Sequence, residues 1–269
     1  MSERAATWLF VPGDRPERFA KAAASGADQV ILDLEDAVTP EAKQPARGHV
    51  SGWLADHTAW VRVNATGEHD IEHDIHALAG RPGLRGVLVP KAESPEALTA
   101  IGRRLGVPLV ALIESALGLE RSREIARAEG VTRLAFGSID FALDIGARHT
   151  REALASARRE LVLVSRLAAL PAPIDGVTAE VSDESRARDD ADHARELGFG
   201  GKLCIHPRQV EQVRLAFAPS PEELAWAREV IAAATGAGAV QVGGAMIDRP
   251  VVERARRLLA AAAGSTGDQ

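Results

Sequence analysis

Side chains able to handle a metal ion and an oxyanion recur in one kind of place, at or just after short β-branched apolar runs. Glu35 and Asp36 close the run Gln29–Leu34, Arg62 and Asn64 mark Trp60–Val63, and Lys91 follows Gly86–Val89. Glu114 follows Leu109–Ile113, Asp140 stands past Arg133–Gly137, and His206 caps Lys202–Ile205. Carboxylates from two successive runs, Glu114 and Asp140, suit Mg2+, a hard cation that takes oxygen donors and keeps several waters. Glu35 and Asp36 would orient those waters from behind. The alternative puts Glu114 and Asp140 in the first turns of the following helices, where acids meet free backbone N–H groups. Arg62 sits between Val61 and Val63 and needs an anion, either a protein carboxylate or a ligand oxygen. Lys91 reads as an ion-pair partner of these acids in preference to a Schiff-base lysine.

The elements that would position this ring are eight runs. The six named above as ranges are joined by Thr7–Val11 and Ile174–Thr178. Runs apolar on both faces suit parallel strands covered on both sides. Helix starts lie between them: Asp14 stands three residues before Glu17, and Thr39-Pro40 and Ser94-Pro95 each put a cap before proline. Strand and helix alternating eight times predict an α/β protein, a (β/α)8 TIM barrel over residues 1–218. A doubly wound open sheet is the alternative. Residues 219–269 read as a C-terminal helical extension, with a capping box at Ser220-Pro221-Glu222-Glu223, a glycine-rich stretch at 236–244 and a last helix from Pro250. The extension is expected to act as a lid and to reach a neighbouring subunit.

Composition narrows the function classes. The chain has 269 residues, with 32 Lys and Arg against 38 Asp and Glu, a net charge of −6 that argues against a nucleic-acid surface. Its single cysteine, Cys204, cannot close an intrachain disulfide, and the N-terminus lacks a signal-peptide layout. No stretch is apolar enough to span a bilayer. A cytoplasmic location is expected. Other patterns carry less. His69, His73 and His76 share a helix face opposite Ile71, Ile75 and Leu78, which points them to solvent. Gly198-Phe199-Gly200-Gly201 precedes a strand and reads as a helix C-cap, and the charged run Asp183–Glu196 reads as a solvated helix. Cys204 reads as core, Asp144 as helix surface, and no Ser/His/Asp arrangement emerges.

Eight segments together resemble one family. They are Leu9-Phe10-Val11-Pro12-Gly13, Ile31-Leu32-Asp33-Leu34-Glu35-Asp36-Ala37-Val38, Val61-Arg62-Val63-Asn64 and Val89-Pro90-Lys91, followed by Leu112-Ile113-Glu114-Ser115-Ala116, Gly137-Ser138-Ile139-Asp140, Cys204-Ile205-His206-Pro207 and Met246-Ile247-Asp248-Arg249-Pro250. In this order they resemble the citrate lyase β-subunit-like proteins of the HpcH/HpaI aldolase/citrate lyase superfamily, which include malyl-CoA and citramalyl-CoA lyases. The resemblance implies a Mg2+-dependent carbon–carbon lyase on a β-hydroxyacyl-CoA of the malyl, citramalyl, 3-hydroxy-3-methylglutaryl or citryl type. It implies Glu114 and Asp140 as metal ligands, with Glu114 and Arg62 at the substrate and Phe10 and Arg15 at coenzyme A. It also implies that Asp248 is a catalytic acid inserted by a neighbouring subunit of a homo-oligomer, commonly a trimer. Read alone, Asp248 could simply cap the helix that starts at Pro250. Three further readings stay open: a CoA-independent metal-dependent pyruvate aldolase, a citrate lyase β subunit acting on a carrier-bound citryl group, and a non-enzymatic binding or assembly component.

Overall fold

The computed structural model describes residues 5–234, 241–242 and 245–265. The chain divides into two compact units, Met1–Leu215 and Ala216–Gln269. The first is a closed barrel of eight parallel strands in sequence order. They are β1 (Thr7–Pro12), β2 (Gln29–Asp33), β3 (Ala59–Arg62), β4 (Leu84–Val89), β5 (Leu109–Ile113), β6 (Val131–Phe136), β7 (Ile174–Asp175) and β8 (Gly201–Cys204). Every predicted run overlaps a strand, and closure by β1 against β8 excludes the open sheet.

Side chains alternate across a strand, so one parity of residues fills the barrel interior. Trp8, Ile31, Trp60, Leu88, Val110, Leu112, Ala135, Ile174 and Leu203 form that buried layer. Trp8 and Trp60 meet edge to face at 5.1 Å, and the Trp60 indole donates to Gln29 Oε1 at 2.9 Å. Gly86 makes room for this ring: a Cβ there would stand 2.4 Å from Trp60. Lower in the barrel Arg133 closes the interior, donating to the carbonyls of Ala172 and Ala5 at 2.7 and 2.9 Å. Burial without a carboxylate partner in hydrogen-bond reach lowers its pKa to about 10.

The same parity, carried one step further along each strand, delivers the polar ring. Phe10 follows Trp8, Asp33 follows Ile31, Arg62 follows Trp60 and Glu114 follows Leu112, all at the carboxyl ends where this fold places its chemistry. The predicted caps divide. Ser94 accepts from the Ala97 N–H, whereas Asp14 and Thr39 make no side-chain cap bond and their segments begin as short 3-10 turns. Pro16, two residues past Asp14, and Pro40, next to Thr39, fix these turns without help from a side chain. His69, His73 and His76 are exposed, and Gly198 ends its helix in the left-handed region. Asp144 is not idle surface: it accepts from the Ala116 N–H at 2.7 Å.

The second unit pairs the helices Pro221–Ala234 and Arg249–Ser265. Ala227, Val230 and Ala255 are its buried core, with Trp226, Val251, Leu258 and Leu259 packed around them. Ser220 and Glu223 exchange side-chain to backbone bonds at 2.8 and 3.1 Å, the expected capping box. Most of the glycine-rich stretch predicted at 236–244 lies outside the described residues. No helix among the described residues is long and apolar enough to cross a membrane.

Candidate active site

Arg62 is the centre of the barrel mouth. β2 and β3 are in register with Asp33 opposite Arg62, and the two side chains form a bidentate pair with both N–O distances 2.6 Å. Asp33 also accepts from the N–H groups of Glu35 and Ala37, which folds the turn after β2 around its carboxylate. Lys43 holds the same turn from outside through the carbonyls of Leu34 and Glu35. Arg62 Nη1 then lies 2.9 Å from Glu35 Oε2 and 3.7 Å from Asp36 Oδ2, and the guanidinium sits 4.8 Å above the Phe10 ring. Burial opposes its charge, but Asp33, Glu35 and Asp36 overcome it and raise its pKa further. The arginine is permanently cationic.

Glu35 is buried and holds Lys91 Nζ at 2.8 Å with its other oxygen. Burial raises its pKa despite those two cations. Lys91 is shifted the opposite way from a Schiff-base lysine. Burial alone would lower it, yet Glu35 dominates and raises it to about 12. Asp36, by contrast, is largely exposed.

Glu114 extends from β5 as a buried carboxylate. Its Oε1 accepts from the Lys91 N–H at 2.7 Å, while its Oε2 lies against Gly137, where a Cβ would approach to 2.3 Å. Ser115, not Glu114, caps the following helix by accepting from Gly118 N–H. Asp140 lies in the first turn of the helix Ser138–Asp144 and accepts no hydrogen bond among the described residues. Burial comes first, then the charge of Glu35, in raising Glu114 to about 8, with Asp140 adding to it. Five carboxylates (Asp33, Glu35, Asp36, Glu114 and Asp140) thus face two cations, Arg62 and Lys91. A divalent cation is the natural complement to that excess. No cluster of three or more metal-ligating side chains occurs among the described residues, so a cation here would take two carboxylates and fill its other positions with water or substrate. That donor set fits Mg2+.

Of these groups Asp33, Arg62, Glu114 and Asp140 line a cavity of about 250 Å³, together with Phe10. Leu112, Phe136, Val177 and Leu203 give the same cavity an apolar lining. The sequence reading did not identify Asp33, Gly137 or Lys43. It also missed the buried Ser138, whose hydroxyl lies 3.0 Å from His149 Nε2 on the cavity wall. No carboxylate among the described residues bonds the second ring nitrogen of His149, so this pair is not a triad. His206 turns away to accept from the Arg208 N–H. Arg15 is exposed at the end of the β1 turn, 4.0 Å from Asp14. Cys204 is buried core, its thiol pushed up to about 12 by burial. In the second unit the exposed Asp248 accepts from the Val251 N–H at 3.1 Å, capping the last helix.

A family model described as HpcH/HpaI aldolase/citrate lyase matches residues 6–207. The chain is 38% identical over 269 residues to a citrate lyase subunit beta-like protein of Mycobacterium tuberculosis, covering 97% of each. It is 34% identical over 253 residues to a (3S)-malyl-CoA thioesterase of Cereibacter sphaeroides, covering 91% of this chain and 88% of that one. Among solved structures, protein CitE from Mycobacterium tuberculosis in complex with magnesium, acetoacetate and coenzyme A is similar at a TM-score of 0.87 and 35% identity. That likeness covers 97% of this chain and 99% of the other.

Proposed function

The chain belongs to the HpcH/HpaI aldolase/citrate lyase family, and on that premise we propose that it is a Mg2+-dependent lyase cleaving a β-hydroxyacyl-CoA to acetyl-CoA and an oxo acid, or running the reverse condensation. One observation carries the reading: a buried glutamate with one oxygen fixed by Lys91 N–H turns the other toward a cavity shared with Asp140 and Arg62. Magnesium, acetoacetate and coenzyme A together in the CitE complex support the same ligand set.

Cleavage passes the proton of the substrate hydroxyl to solvent water, converts that carbon to a carbonyl and leaves the electron pair of the broken carbon–carbon bond on the thioester α-carbon as an enolate. Glu114 and Asp140 would hold Mg2+, which supplies Lewis-acid stabilisation of developing oxygen charge. Arg62 keeps its charge at any working pH and faces the cavity, so it can hold the carboxylate of the oxo acid or its carbonyl oxygen. Asp33 and Glu35 fix the guanidinium in place, which removes the need to reorganise it during the reaction. Phe10 and the exposed Arg15 are proposed to meet coenzyme A. Asp248 of the partner subunit is proposed to protonate the enolate carbon; an exposed carboxylate at a helix start suits that role while capping its own helix.

The test is a cleavage assay with malyl-, citramalyl-, 3-hydroxy-3-methylglutaryl- and citryl-CoA, each with Mg2+ and with EDTA. Metal-dependent acetyl-CoA release from any of them supports the reading. Silence from all four would sink it. Free CoA in place of acetyl-CoA would redirect it to thioester hydrolysis, the activity in the name of the Cereibacter relative.

A pH dependence follows from Glu114. Held at about 8 in the cation-free site, it binds a proton that an incoming cation must displace. Mg2+ affinity is therefore expected to rise with pH between about 6 and 8, releasing close to one proton per ion. Calorimetric titration in two buffers of different ionisation enthalpy counts that proton. Flat affinity without proton release would remove Glu114 from the metal site.

A further inference from the structure

Lys91 has a φ of +44°, a left-handed backbone at a residue that is not glycine. Glycine would take this conformation freely, and a side chain there is strained. The kink is local: the next residue, Ala92, still donates to Leu112 O at 3.1 Å across the β4–β5 ladder. What glycine could not offer is the ammonium. Lys91 makes both contacts at once, its N–H to Glu114 Oε1 at 2.7 Å and its Nζ to Glu35 Oε1 at 2.8 Å. It thereby joins the carboxylate facing the cavity to the carboxylate braced against Arg62.

The charges give the reason. Arg62 alone faces two buried carboxylates, Asp33 and Glu35, a group with net negative charge that would repel an anionic substrate. Lys91 offsets the charge of this buried pair, with the largely exposed Asp36 at the rim 3.7 Å from Arg62. We infer that Lys91 is a positioning residue that neutralises Glu35, so that Arg62 can accept the carboxylate of an oxo acid, while its strained backbone fixes Glu114 with one oxygen free for the cation. The inference rests on the reading of the site given above.

It predicts that pyruvate binding weakens while Mn2+ binding does not, a split that a merely structural role would not produce. Lys91→Met leaves the Arg62 group negative and removes a positive charge from beside the cation site. Pyruvate affinity, measured by calorimetry at saturating Mn2+, is expected to fall roughly tenfold or more, the scale of one charge in a partly buried cluster. Mn2+ affinity of the full-length chain, read by electron paramagnetic resonance, is expected to hold or tighten. Lys91→Gly keeps the N–H, relaxes the backbone and should match the Met variant for pyruvate. Lys91→Arg restores the charge and should recover most of the binding. Parallel weakening of Mn2+ and pyruvate in Lys91→Met, or unchanged pyruvate affinity, would overturn the inference alone. A wild-type protein that binds neither Mn2+ nor pyruvate would overturn the reading of the site and the inference with it.

Discussion

Glu114→Gln is expected to lower Mg2+-dependent turnover by about a thousandfold, or about 4 kcal/mol of transition-state stabilisation. Glutamine keeps the size of the side chain and an oxygen for the Lys91 N–H, but it carries no charge for a cation. The same change is expected to make the cation-free protein more stable. Glu114 is an acid whose folded pKa is raised, so its carboxylate form is penalised by folding, and the penalty grows as pH climbs from 4.5 to about 8. At pH 7 that penalty is up to about 3 kcal/mol, which glutamine removes. Loss of function with gain of stability is the signature of a group kept for its chemistry. Thermal unfolding with and without Mg2+, beside the activity of both proteins, reads the two effects together. A variant with intact metal-dependent activity, or one that only loses stability, would take Glu114 out of the metal role.

Much of this site was legible because the barrel interior obeys a parity. Once Trp8, Ile31, Trp60 and Leu112 are inside, residues two further on are inside as well, which selects Phe10, Asp33, Arg62 and Glu114. Attention to the acids just beyond β2 found Glu35 and Asp36 but passed over Asp33, which sits within the apolar run and pairs directly with Arg62. Parity also separates the two acids that were found: Glu35, two past Asp33, is buried, and Asp36 is exposed. The sequence left the anion for Arg62 open between a protein carboxylate and a ligand oxygen, and the structure supplies Asp33 and Glu35.

Other features had no local signal. The left-handed backbone at Lys91 and the Ser138–His149 contact depend on loops whose course is set by neighbouring strands. Gly137 stood inside a recognised motif, yet its reason is a side chain on the adjacent strand, which a linear sequence does not place. The failed caps at Asp14 and Thr39 show the reverse: the local pattern was present, and proline with tertiary packing made the capping bond unnecessary.

Gly137→Ala should also damage the site, about tenfold less than loss of the Glu114 charge, for a steric reason that can be isolated. The backbone of Gly137, at φ −85° and ψ 73°, lies outside the left-handed region, so the obstacle is space alone. A Cβ at this position would stand 2.3 Å from Glu114 Oε2 and 2.5 Å from Glu114 Cβ. The second distance matters more, because Glu114 Cβ is fixed to β5 and cannot swing aside as a carboxylate can. β5 and β6 are joined at this level by Gly137 N–H to Ile113 O at 2.9 Å, so relief requires opening the ladder end or displacing the glutamate. Overpacking of this kind costs about 1–3 kcal/mol of stability. Displacement of Glu114 by an ångström is expected to cost roughly a hundredfold in turnover, with a matching loss of Mn2+ affinity. A double-mutant cycle separates the cause: in a Glu114→Gly background, Gly137→Ala should cost far less in stability, because the three atoms nearest the added Cβ are gone. If alanine costs as much stability there as in the wild type, the contact with Glu114 is not what keeps this position glycine. If Gly137→Ala leaves Mn2+ affinity intact in the wild-type background, then Glu114 does not hold the cation from the position it occupies.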